Sequence, residues 1–166
     1  VDPPPSPALL LGAGGAARAI AAALIDAGAR VTIASRRREQ AEALAADLSG
    51  LTVLDWWDRA AALADHALVV NATSAGMEGK APLDLDLSRA AAGLVVADIV
   101  YVPLQTPLLK AARAAGLRAV EGLGMLLHQA RPGFAAWFGI DPAVDEELYR
   151  FVAGDLLAPE SPAAPQ

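Results

Sequence analysis

Leu9-Leu10-Leu11-Gly12-Ala13-Gly14-Gly15-Ala16-Ala17-Arg18-Ala19 decides how the rest of this 166-residue chain is read. A short apolar run, read as a buried strand over 8–12, breaks into a glycine cluster. An alanine-rich helical pattern follows over 15–27, with Ala16, Ala19, Ile20, Ala23, Leu24 and Ala27 placed on one face. Gly12, Gly14 and Ala17 match the G-x-G-x-x-G/A fingerprint of a dinucleotide-binding turn. Each residue type has a physical reason. Gly12 allows a sharp exit from the strand, Gly14 lets a pyrophosphate approach the backbone, and Ala17 lets helix and strand pack closely. The free N–H groups and the positive end of the helix then face the phosphates.

Outward from this turn, strand and helix signals alternate. Strands are expected at 30–34, 51–54, 67–71, 94–100 and 118–121. Helices are expected from Ser35, as N-cap, to about Leu48; from Thr106, as N-cap with Pro107 at the first helical position, to Gly116; and from Leu123 onward. The last of these is expected to break at Pro132-Gly133 and to resume through Phe134, Trp137 and Phe138. Asp58 to Ala64 reads as a short helical turn, and 73–87 as a long loop. A final helix, about 142–155, carries Val144, Leu148, Phe151, Val152 and Leu156 on one face. The alternation predicts an α/β fold, a Rossmann-like doubly wound parallel sheet of six strands in the order 3-2-1-4-5-6. The organisation expected is a proline-rich linker at 1–7, a dinucleotide-binding domain at 8–140, a C-terminal helix at 141–157 and a disordered tail at 158–166.

Bulk composition narrows the partners. With 55% hydrophobic and 19% charged residues the chain can bury a core, yet no apolar run approaches the roughly 20 residues of a membrane span. A net charge of −6 argues against nucleic acid, and Arg36-Arg37-Arg38 is a cluster sized for one phosphate. There is no cysteine, so disulfides and thiolate metal sites are excluded; His66 and His128 suggest no metal site. Val1 to Pro7 lacks the apolar run of a secretory signal, and a cytoplasmic location is expected.

The end of the second strand selects the cofactor. NAD-binding domains usually place an acid there to hold the ribose 2′-hydroxyl. Here the chain reads Ala34-Ser35-Arg36-Arg37-Arg38, with Arg36 24 residues after Gly12 (36 − 12). A guanidinium in that place binds a 2′-phosphate and stacks on adenine, which favours NADP. Further along, Asn71-Ala72-Thr73-Ser74-Ala75-Gly76-Met77 leaves the carboxyl end of strand four, where a doubly wound sheet binds ligands. Tyr101 follows strand five and offers a hydroxyl to the same cleft. Glu121-Gly122-Leu123-Gly124-Met125 opens a helix that carries Gln129. Asp98, at the end of a buried strand, reads as structural; Lys80 and His128 read as solvated or packed side chains.

GAGGAARA from Gly12, SRR from Ser35, NATSAGM from Asn71, DIVYVPLQTPLL from Asp98 and EGLGMLLHQA from Glu121 occur in order over residues 8–140. In these blocks the chain resembles the nucleotide-binding half of shikimate dehydrogenase. The resemblance implies NADP-dependent reduction of 3-dehydroshikimate to shikimate. By position, it implies that Ala13, Gly14, Gly15 and Ala16 hold the pyrophosphate and that Ser35 and Arg36 hold the 2′-phosphate. It places Thr73, with Ser74 beside it, Gly122 and Met125 near the nicotinamide, and Tyr101 and Gln129 against the substrate. Ser35 replaces a frequent Asn, and Gln40 a frequent basic residue, with Arg37 or Arg38 placed to compensate. In the family a substrate domain precedes this one and supplies a Lys–Asp pair that handles the proton, so no catalytic residue is expected in these 166 residues. The expected partners are a small-molecule substrate, a substrate domain in cis or in trans, and a second copy of the chain through Leu148, Phe151 and Val152. A quinate or aminoshikimate dehydrogenase and a non-catalytic NADP-binding module are the alternatives.

Overall fold

The computed structural model describes residues 6–157; residues 1–5 of the expected linker and the expected tail at 158–166 lie outside the described residues. The strands are β1 (Ala8–Leu11), β2 (Val31–Ala34), β3 (Leu51–Leu54), β4 (Leu68–Asn71), β5 (Val95–Asp98) and β6 (Arg118–Val120). The helices are α1 (Gly15–Asp26), α2 (Arg38–Asp47), the single turn α3 (Arg59–Ala62), α4 (Pro107–Ala114), α5 (Gly122–Phe138) and α6 (Glu146–Leu157). All five strand pairs are parallel, and the order is β3-β2-β1-β4-β5-β6. This is the doubly wound α/β arrangement that the alternation of elements predicts.

The sheet is apolar on both faces. Ala8, Leu10, Ile33 and Val70 pack with α1 and α2 on one side, and Leu9, Leu11, Val69 and Val96 pack with Leu63, Leu108 and Ala112 on the other. Strands covered on both faces read as continuous apolar runs, and β1 is buried at every position. The register then sets the site. Ala34, Leu11, Asn71 and Asp98 lie side by side, so β2, β1, β4 and β5 end in one row. The loops singled out by the sequence leave the sheet from that row, except Glu121 to Met125, which follows β6 at its edge.

Several helix expectations are corrected. The buried face of α1 is Ala17 and Ala21 with Ile20, Leu24 and Ile25, whereas Ala16, Ala19, Ala23 and Ala27 are exposed. In so alanine-rich a helix almost any stripe is apolar, and the three large aliphatic side chains choose which stripe is buried. The helix ends at Gly28 (φ 85°), where Gly28 N–H bonds Ile25 O and Ala29 N–H bonds Leu24 O, a Schellman closure. Ser35 does not cap α2. Its hydroxyl accepts from Arg37 N at 3.3 Å, and the N-cap is Arg37, so Ser35 to Arg37 form a turn along the sheet edge. Thr106 does cap α4, accepting from Leu109 N at 3.3 Å, with Pro107 in the first turn.

Pro132 does not break α5, which runs unbroken over 17 residues to Gly139 at φ 69°. A proline removes one amide donor and costs about 3 kcal/mol in a helix interior. Leu123, Leu126 and Leu127, in the first turns of the helix, pack with Tyr149, Val152, Ala153 and Leu156 of α6. The final helix starts at Glu146 rather than 142, because the Asp145 carboxylate accepts from Leu148 N at 2.9 Å and sets its first turn. Its packed face is Tyr149, Val152, Ala153 and Leu156; Phe151 stands 71% exposed.

Gly122 marks the tightest crossing in the fold. A Cβ there would lie 2.5 Å from Ile99 O and 2.8 Å from Val100 O, both backbone atoms that cannot swing aside. Gly122→Ala should therefore lose about 1–3 kcal/mol through overpacking. Gly133→Ala, in the same helix with no atom within 4 Å of its Cβ, should gain roughly 0.5–1 kcal/mol. Urea denaturation of the two variants measures both, and equal effects would refute the close-approach account.

Candidate functional site

The carboxyl row of the sheet opens into two adjoining cavities. The first, about 530 Å3, is lined by Gly12, Ala13, Gly14, Ser35, Arg36, Arg37, Gln40, Trp56, Ala72, Thr73 and Ser74. The second, about 370 Å3, is lined by Ala72, Thr73, Ser74, Met77, Ile99, Val100, Tyr101, Val102 and Met125. Ala72, Thr73 and Ser74 are common to both, so the β4 loop is the wall between them.

Gly12 holds φ 106°, and a Cβ there would meet Ala72 O at 2.9 Å, which explains glycine at the turn out of β1. At Gly14 and Gly15 a Cβ would meet nothing within 4 Å, so the space over the first turn of α1 is open. No side chain caps α1, and its first turn holds no acidic residue. Its leading N–H groups are of the kind that an anion satisfies. Gly15 and Ala16 lie in that exposed turn.

Across the first cavity stand two exposed guanidinium groups. Arg38 is paired with Glu42 at 2.8 Å and with Asp55 at 3.6 Å, whereas Arg36 and Arg37 have no ion pair among the described residues. An open glycine turn facing two unneutralised cations fits a dinucleotide that carries an extra phosphate.

A buried polar network holds the dividing wall. Asp98 is 2% exposed, and its carboxylate accepts from Asn71 Nδ2 (2.9 Å), Val100 N (3.0 Å) and Thr106 Oγ1 (2.8 Å). Asn71 Nδ2 also donates to Ala75 O at 3.1 Å. Asn71 Oδ1 accepts from Thr73 N (3.1 Å) and from Thr73 Oγ1 (2.7 Å), and Thr73 Oγ1 accepts from Ala75 N (3.1 Å). Burial pushes the Asp98 carboxyl above the usual aspartate range, against the opposing pull of its three donors. With its oxygens taken up by the fold, Asp98 is structural.

A second cluster surrounds Glu121, the residue before α5. The Glu121 carboxylate accepts from Tyr149 Oη (2.6 Å), Arg113 Nη2 (2.7 Å) and Gln105 Nε2. Burial alone would raise this carboxyl, but the three donors and the Arg113 charge outweigh it and hold it low. The bond to Glu121 pushes Tyr149 up to about 12, with burial adding to it.

Of the residues singled out in the sequence, Gly12, Ala13, Gly14, Ser35, Arg36, Arg37, Thr73 and Ser74 meet in the first cavity, and Thr73, Ser74, Tyr101 and Met125 in the second. Gly122 lines neither; it is buried against the Ile99 carbonyl and brings the start of α5 to the β5 loop. Gln129 is exposed one turn beyond Met125, outside both cavities, and Lys80 is exposed; His128 is exposed as well and lines neither cavity. Trp56 is the lining residue that sequence reasoning missed. It sits in an aperiodic turn after β3, where neither spacing nor charge distinguishes it from Trp57.

The family profile described as shikimate / quinate 5-dehydrogenase matches residues 5–81. The chain is similar to the shikimate dehydrogenase (NADP(+)) of Acidiphilium cryptum, with 69% identity over 95% of this chain and 56% of that protein. It is similar to the one of Gluconobacter oxydans, with 56% identity over 90% of this chain and 54% of that protein. Among solved structures, it resembles shikimate 5-dehydrogenase from Thermus thermophilus in complex with NADP(H) and shikimate (TM-score 0.78, 36% identity, 91% of this chain and 55% of that one). It also resembles quinate dehydrogenase from Corynebacterium glutamicum in complex with NAD (TM-score 0.81, 31% identity, 90% and 55%). The chain spans about half the length of the curated relatives it matches.

The Asp98 network has a measurable pH signature. In Asp98→Asn the new amide meets the Thr106 hydroxyl as a second donor, at an expected cost of about 1–2 kcal/mol. Native Asp98 titrates above the unfolded chain, so the native protein takes up the proton first. Wild-type stability therefore gains from this group as pH falls from the native pKa to the unfolded one, and the gain is complete below both. The stability gap between wild type and Asp98→Asn should widen on acidification through that window. A gap that narrows in urea titrations run at several pH values would sink the assignment.

Proposed function

The chain belongs to the shikimate dehydrogenase family, and from that premise we propose that these residues form the nucleotide-binding half of an NADP-dependent shikimate dehydrogenase. The observation that carries the proposal is the first cavity, where an open glycine turn and an acid-free helix end face the unpaired Arg36 and Arg37. In this reading Ala13 to Ala16 receive the diphosphate on backbone N–H groups. Arg36, with Arg37 and the Ser35 hydroxyl beside it, takes the 2′-phosphate; a planar guanidinium suits that task better than an ammonium.

When bound, the nicotinamide gives or accepts a hydride, which the ketone carbon of 3-dehydroshikimate takes while its oxygen gains a proton to become the hydroxyl of shikimate. The chain's own part is position and dryness. Thr73 and Ser74 supply hydroxyls at the wall between the cavities, and Ile99, Val100, Val102 and Met125 make the second cavity apolar around the ring. Gly122 lets the start of α5 come close enough for Met125 to reach it. Tyr101, 37% exposed at the mouth, and Gln129, further along α5, face outward to a substrate. The proton has no donor pair here. The chain has two lysines, Lys80 and Lys110, both exposed, and Asp98 is committed to the fold. The described residues therefore bind nucleotide but turn over little by themselves, and the proton-handling groups belong to a substrate domain. The 69% identity to a relative named for shikimate favours that substrate over quinate.

Calorimetric titration of the chain with NADP⁺ and NAD⁺ tests the reading. The charge-assisted contact of Arg36 should be worth roughly 1.5–3 kcal/mol, a preference for NADP⁺ of about one to two orders of magnitude. Arg36→Gln should remove most of that preference and leave NAD⁺ affinity nearly unchanged. Equal binding of the two by the wild type would overturn the 2′-phosphate assignment.

A further inference from the structure

Trp56 is the one large aromatic ring on the first cavity. It is half-buried, whereas its neighbour Trp57 is 82% exposed and lines neither cavity. The turn that carries it is fastened at both ends. The Asp55 carboxylate accepts from Trp57 N at 2.9 Å and pairs with Arg38 at 3.6 Å. On the other side, Arg59 donates from Nη1 to Trp56 O at 2.8 Å and from Nη2 to Asp84 O at 2.7 Å. The same guanidinium lies over the indole, 4.4 Å from the ring centroid.

Arg59 is only 9% exposed, and its Nε has no partner among the described residues. Burying a guanidinium with an unsatisfied N–H is costly. The stack on Trp56 offsets part of that cost and fixes the ring in place. A cation on one side of an indole also draws π density from it. Such a ring is a good partner for an electron-rich heterocycle. The rest of the cavity wall consists of small residues, the hydroxyls of Ser35, Thr73 and Ser74, the Gln40 amide and the phosphate-seeking arginines. Trp56 is the aromatic surface there that can stack a flat base.

We propose that Trp56 is the purine platform of this cleft and that Arg59 is a positioning residue acting through it. The inference rests on the NADP reading and adds to it an aromatic surface for the adenine, beside the guanidinium stack expected of Arg36. It also explains why a chain with Gln40 where a basic residue is frequent in the family can still hold the adenosine end: a stacked base replaces a charge contact.

The test uses 2′,5′-ADP, which has the adenosine and the 2′-phosphate but no nicotinamide. In a Trp57→Phe/Trp137→Phe double variant, both changes fall on rings more than 80% exposed, and Trp56 becomes the sole tryptophan. Titration with 2′,5′-ADP should quench its emission in step with binding followed by calorimetry. In the otherwise wild-type chain, Trp56→Leu should weaken 2′,5′-ADP about tenfold, and Trp56→Phe should restore most of the loss. Arg59→Met should weaken binding less and shift the emission of Trp56 before any ligand is added. Calorimetric binding with no change in Trp56 emission, or a Trp56→Leu variant that binds like wild type, would overturn the platform while leaving the NADP reading intact. Failure of the wild-type chain to bind 2′,5′-ADP at all would overturn both.

Discussion

A single buried carboxylate organises the carboxyl edge of this sheet. Asp98 ends β5 beside Asn71, which ends β4, and the two side chains bond directly at 2.9 Å. An ionised group so deeply buried is tolerated only with several donors, and each hydrogen bond to a charged acceptor is worth about 1.5–3 kcal/mol. Meeting that demand shapes three loops at once. Asn71 must turn its amide inward, which leaves its oxygen for Thr73; the chain must bend at Val100 to offer an N–H; and Thr106 must start α4 within reach. The wall between the two cavities follows from this network, because Ala72 to Ser74 are threaded between its members.

The two cavities differ in what they offer a ligand. One has exposed cations and open backbone donors in a chain whose net charge is −6, so positive potential is concentrated where an anion must arrive. The other is lined mainly by aliphatic and sulfur side chains, with hydroxyls confined to its rim. A molecule with phosphates at one end and an uncharged or reducible ring at the other would lie with its ends in unlike surroundings. Orientation within the cleft is thereby decided by polarity before any specific contact is counted.

Much of this was legible in the sequence because it is written as periodicity and punctuation. The strands are short apolar runs closed by glycine or polar residues, and the loops that matter are those that leave the row Ala34, Leu11, Asn71 and Asp98. What was not legible depends on competition between equals. The alanines of α1 gave no unique stripe until Ile20, Leu24 and Ile25 chose one. Ser35 had the chemistry of a helix cap, but its hydroxyl was taken up two residues on by Arg37 N. Pro132 carried a strong local preference for a break, yet α5 continues through it to Phe138. Trp56 could not be found at all, since its place on the cavity comes from Arg59 and Asp84, 25 residues apart in sequence.

The Glu121 carboxylate receives Gln105 from the turn before α4, Arg113 from within α4, and Tyr149 from α6, while its own backbone starts α5. Three donors, from the turn before α4, from α4 and from α6, thus share one acceptor at the start of α5. Local opening of α6 would strip a donor from a partly buried charge and loosen the residue next to Gly122. Fraying of the last helix is therefore not a private event of the C-terminal region. Through this hub, α6, the end of α4 and the start of α5 form one cooperative unit of opening and closing, and the helix that brings Met125 to the second cavity is tied to one that does not line it.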